Sequence, residues 1–169
     1  AVDASASLNR VTSNFVFTVT DDDTANPALS GFSINGRVFT NDVTIGEGMA
    51  VTGLVQDAGS GVYSASNRLT LWKPDGTVLL NEQLFTTRPS DGGAKGAAEA
   101  LAYTMASNLF TVAGVYTVRV SATDYDTDRL QDQRKVTADY TFTIVQLPPD
   151  PSAATATGAL RSSDLATRH

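Results

Sequence analysis

Apolar and polar residues alternate along much of this chain, and the alternation predicts strands. Residues 114–122 place Tyr116, Val118, Val120 and Ala122 on one face, with Thr117, Arg119 and Ser121 on the other. Residues 135–145 set Val136, Tyr140, Phe142 and Ile144 against Thr137, Asp139, Thr141 and Thr143, and residues 49–56 alternate less cleanly. A period of two marks half-buried antiparallel strands. The segment 69–80 reads as a hairpin, with Leu69–Trp72 up, Pro74-Asp75-Gly76 turning and Thr77–Leu80 returning; Pro presets φ and Gly accepts the least restricted position. Further strands are expected near 29–34, 37–45 and 100–106. Turn signals fall at Asn35-Gly36, Gly46–Gly48, Gly59–Gly61 and Ala113-Gly114. Short strands at this spacing predict an all-β, two-sheet antiparallel sandwich of about seven to nine strands.

One stretch occurs twice. RVTSNFVFTV at 10–19 returns as KVTADYTFTI at 135–144, an offset of 125 residues. Val11, Thr12, Phe17 and Thr18 match Val136, Thr137, Phe142 and Thr143 identically, and Phe15 faces Tyr140. So long a period is the mark of tandem domains rather than a short solenoid. The expected organisation is an extra N-terminal strand within 1–20, equivalent to the last strand of a preceding repeat. An acidic linker at 21–27, one sandwich at 28–146 and a Pro/Ala/Thr/Ser-rich tail at 147–169 follow. Residues 86–99 are expected as a loop, with a helical turn at Ala97–Ala100.

Composition narrows the function. Eighteen acidic against twelve basic residues give a net charge of −6, and the basic residues are scattered singly, which excludes a basic nucleic-acid-binding face. No run of 18 apolar residues spans a membrane, and no secretory leader pattern occurs in these residues. The chain has no cysteine, which removes disulfides, thiolate-held zinc and thiol catalysis. Abundant Thr, Ser, Asp, Gly and Ala with few Lys suit an extracellular bacterial protein.

The string AGVYTVRVSATDYDTD at 113–128, with DAGSGV at 57–62 upstream, resembles the bacterial Ig-like repeats of secreted and cell-surface proteins, alongside PKD-type and cadherin-like repeats. The resemblance covers residues 27–146. It implies an Ig-like sandwich, Tyr116 as a tyrosine corner and Trp72 as the core Trp of the third strand. Such folds host many roles, so function must come from a site.

Candidate chemistry is sparse. His169 is the only histidine, so no Ser–His–Asp or Cys–His arrangement can form within the domain. GGAKGAA at 92–98 lacks the G-K-[ST] ending of a phosphate loop. The acids lie in turns rather than paired on facing strands, which argues against a glycosidase; the chain is read as non-enzymatic. The aspartates do have a pattern. In an Ig-type sandwich the entry linker and the loops after the second and sixth strands share one pole. Asp21, Asp22, Asp23, Asp57, Asp124, Asp126 and Asp128 should therefore gather there, with Arg129 close in sequence. Crowded like charges cost on the order of 1 kcal/mol per pair even in water. Ca²⁺ is the expected neutraliser, since it takes 6–8 oxygen ligands in irregular geometry, and cadherin-like repeats stiffen their junctions in this way. The competing reading is that Asp is simply a good turn residue. DYDTD is no EF-hand loop.

Val11, Phe15, Phe17 and Val19 form an apolar stripe on the first strand, and leaving it in water forfeits roughly 1.5–3 kcal/mol per large side chain. Pairing is therefore expected: within a preceding domain, on an edge of this domain, or by strand addition to a neighbouring copy. Head-to-tail addition does not close and grows a filament. The leading expectation is a structural or adhesive module of an extracellular or surface-displayed protein, calcium-stiffened at its N-terminal pole. Its rivals are a filament subunit assembled through residues 10–20 and a carbohydrate- or partner-binding module using Tyr63 and Tyr125.

Overall fold

A computed structural model describes residues 12–18, 23–39, 42–127 and 132–146. Among these residues eight strands form two sheets: β1 (Ala28–Ile34), β2 (Val43–Thr44), β3 (Met49–Gln56), β4 (Arg68–Trp72), β5 (Val78–Leu84), β6 (Glu99–Met105), β7 (Gly114–Thr123) and β8 (Lys135–Val145). Three strands pair in the order β1-β3-β6, and five in the order β2-β8-β7-β4-β5. All ladders are antiparallel except the short β2–β8 pair. The two sheets form a β-sandwich.

Alternation decides what lies between them. Leu69 and Leu71 of β4, Tyr116, Val118, Val120 and Ala122 of β7, and Phe142 and Ile144 of β8 point inward. Phe32, Ile34, Met49, Val51, Val55, Leu101 and Met105 meet them from the smaller sheet. Each such side chain contributes about 1.5–3 kcal/mol on leaving water. Phe110 caps one end, edge-on to Tyr116 at 5.5 Å. The Tyr116 hydroxyl donates to the Val112 carbonyl at 2.9 Å, the back-bond of a tyrosine corner. Asn35-Gly36 makes the turn expected of that dipeptide: both residues have positive φ (48° and 72°), and Ile34 and Arg37 exchange backbone hydrogen bonds across it.

Several expectations need correction. Trp72 is not a core residue. Leu69 and Leu71 take the inward positions of β4, so Trp72 falls on the outer face, where the Arg119 guanidinium lies 5.1 Å from its ring. The strand expected over 37–45 shrinks to Val43–Thr44. No helical turn forms at Ala97–Ala100, because β6 already begins at Glu99. Residues 12–18 form no strand and pair with no strand among the described residues; Phe15, Val16 and Phe17 are 89%, 96% and 82% exposed. Val11 and Val19 lie outside the described residues, as does the tail from 147 onward.

Candidate metal centre

Three strand ends and the incoming chain meet at one pole. Asp57 follows β3, Asp124 follows β7, and Arg134 leads into β8. The incoming chain delivers Asp23 to the same place: the Arg134 guanidinium donates to the Asp23 backbone carbonyl at 3.3 Å. Because Thr123 pairs with Lys135 and Gly114 with Ile144, the described domain is entered at this pole and left, at Val145, at the opposite one.

Each carboxylate is set by its local chain. Asp57 Oδ1 accepts backbone N–H bonds from Gly59, Ser60 and Gly61 at 3.1, 3.1 and 2.9 Å, the self-bonding that makes Asp a turn residue. Asp23 Oδ2 accepts from the Ser60 N–H at 2.7 Å and its Oδ1 from the Ala25 N–H at 3.1 Å. Asp124 Oδ1 accepts from the Arg134 N–H at 2.9 Å, while the Asp124 N–H donates to the Arg134 carbonyl. Glycine makes the approach possible: a Cβ on Gly59 would collide with the Asp23 carboxylate.

The result is a buried acidic trio. Asp23, Asp57 and Asp124 are 4%, 3% and 0% exposed, and one carboxylate oxygen from each lies within 4.8 Å of the others. Oδ2 of Asp57 and Oδ2 of Asp124 are buried with no hydrogen-bond partner. Burial pushes both groups above the ordinary carboxylate value, and the charge of Asp23 pushes them further in the same direction. For Asp23, burial acts upward but hydrogen bonds from Ser60 and Ala25 outweigh it, and its pKa is lowered. The trio thus holds one readily ionised carboxylate beside two whose charge the fold disfavours. A hard cation offered these oxygens would remove the repulsion and satisfy the two orphaned atoms.

Of the seven aspartates expected here, the structure brings Asp23, Asp57 and Asp124 together. Asp126, 3% exposed, lines an adjacent cleft of about 390 Å³ with Asp23, Ser60, Lys95, Tyr125 and Thr127. Asp21, Asp22 and Asp128 lie outside the described residues, as does Arg129. Tyr125 packs on Tyr63 with ring centroids 5.8 Å apart. Two neighbours escaped sequence reasoning, Lys95 and Arg134. The loop at 86–99 carries Lys95 to the pole, where the Gly96 N–H donates to the Asp57 carbonyl at 2.7 Å. Arg134 could have been found from its place just before the 135–145 strand. A scan for known protein families finds no match to this chain, and a comparison with curated proteins finds none either.

Proposed function

We propose that this chain is a non-enzymatic, Ig-like structural or adhesive module of an extracellular bacterial protein, whose entry pole binds Ca²⁺ through Asp23, Asp57 and Asp124. The observation that carries the reading is the pair of buried, unpartnered Oδ2 atoms on Asp57 and Asp124. Backbone N–H groups already engage both Oδ1 atoms, from the Gly59–Gly61 turn for Asp57 and from Arg134 for Asp124, which leaves the second oxygens without a role. The strand order and the tyrosine corner support the Ig-like assignment.

Bound Ca²⁺ would tie the incoming chain at Asp23 to the ends of β3 and β7, restricting the angle at which the domain meets whatever precedes it. The test is a thermal melt in excess EDTA and again in CaCl₂, with Asp57→Asn alongside. A cation at 100 times its Kd stabilises by about 2.7 kcal/mol, a rise on the order of 10 °C for a domain of this size. Asp57→Asn should abolish the response while raising the EDTA melting temperature, because it removes a buried like charge. A wild-type melt indifferent to Ca²⁺ would return the trio to turn chemistry.

A further inference from the structure

The sandwich has an open edge, and the chain carries a segment shaped to cover it. β8 pairs with β7 from Lys135 to Ile144, but among the described residues only Ile144 and Val145 meet a strand on its other side, the two-residue β2. The direction of the free groups follows from one bond. The Ile45 N–H donates to the Val145 carbonyl at 3.0 Å, so Val145 aims its backbone groups away from β7. The β7–β8 register runs without a bulge, and backbone direction alternates along a strand. Thr143, Thr141, Asp139 and Thr137 therefore also aim their N–H and C=O groups outward. Among the described residues no backbone partner meets Thr137, Asp139 or Thr141 there.

Open edges are commonly blunted by bulges, prolines or charges. β5, at the far side of the same sheet, has such protection: its register with β4 is broken, and Glu82 sits at φ 49°. β8 has neither bulge nor proline between Val136 and Phe142. Its inward residues Val136 and Tyr140 are only partly buried.

Residues 12–18 match this vacancy in three ways. They repeat the sequence of 137–143, so Phe15 and Phe17 have the inward phase of Tyr140 and Phe142. They are exposed and in no strand. Seven residues extend about 23 Å as a strand, the length of edge between Val136 and Phe142. We propose that residues 12–18 of one copy of this chain add as a strand to the open β8 edge of a second copy, burying Phe15 and Phe17 beside Val136 and Tyr140. The chain's own segment makes no ladder with that edge among the described residues, so a second copy is the occupant proposed. Two copies exchanging segments would close as a dimer; one-way donation would propagate.

The test is the mass of the full chain in solution over a concentration series. The expected result is concentration-dependent association that disappears in the Phe15→Asp/Phe17→Asp double variant. It should also disappear in Thr141→Pro, which removes an outward N–H without touching the β7 ladder. Should Thr141→Pro fail to fold, hydrogen exchange on the wild type decides: the amides of Thr137, Asp139 and Thr141 should become protected as association proceeds. A chain that stays monomeric overturns the proposal. So does association that survives the double variant, protection independent of concentration, or association with those three amides unprotected. None of these readouts depends on the metal site.

Discussion

Gly53 shows how one residue can set the spacing between two strands. A Cβ there would come within 2.5 Å of the Phe32 ring on the neighbouring β1, so β3 carries glycine at an inward position where its neighbours carry Val51 and Val55. Gly53→Ala should cost about 1–3 kcal/mol by overpacking, read as a lowered melting temperature. A neutral result would mean that Phe32 swings aside freely. The acidic trio is the other site where single residues decide the outcome, and its pH dependence has a definite sign. Burial raises Asp57 and Asp124 above the ordinary 3.8. Their contribution therefore favours folding below the unfolded value and is lost as pH rises through the elevated folded values. Asp23 is lowered; its contribution is present above the unfolded value and is lost only as pH falls through the depressed one. In EDTA, acidifying from pH 7 to about pH 5 should hold or raise the melting temperature. Over the same interval the gain from Ca²⁺ should shrink, since protons compete for the same oxygens. A metal-free melting temperature that falls steeply between those pH values would contradict this account of the trio.

Strands were readable where alternation was clean and less so where turn or packing chemistry intervened. β4 makes the point. Its inward residues Leu69 and Leu71 and its outward Trp72 predict opposite costs: Leu71→Ala should lose about 2–5 kcal/mol, whereas Trp72→Phe, on the Arg119 side of the sheet, should shift the melting temperature little. A large loss at Trp72 would return it to the core. The resemblance to Ig-like repeats implies a core Trp at this position, but the phase of Leu69 and Leu71 places Trp72 outside. β7 and β8 were legible because apolar and polar positions alternate over most of their length, the exposed Val115 and buried Ser121 of β7 being the departures. The 37–45 region was not, because the Asn35-Gly36 turn and the Phe39 ring, stacked on Tyr140 at 4.9 Å, consume residues that alternation alone would assign to a strand. The convergence of Asp23, Asp57 and Asp124 was legible from topology. Sequence could not show which oxygen of each carboxylate would be left without a partner, since that depends on the Gly59–Gly61 backbone and on Arg134.

At the scale of the whole molecule, the described domain is a two-sheet scaffold with its acidic trio at one pole and the open stretch of β8 on one flank. The proposed metal site acts at the junction with whatever precedes Asp23, and the proposed strand addition acts on the flank. The two could operate together in an assembly of copies. A further consequence lies in the positions of Asp23 and Val145 at opposite poles. Tension between those points would run along β8 and load the ten-pair β7–β8 ladder in shear, with its hydrogen bonds lying across the pull and sharing the force. Among the described residues only the two β2 pairs at residues 43–44 lie outside that ladder on β8, and they would yield first. An extra strand along the same edge would add a second sheared ladder in parallel, so an assembled copy would resist stretching better than a solitary one.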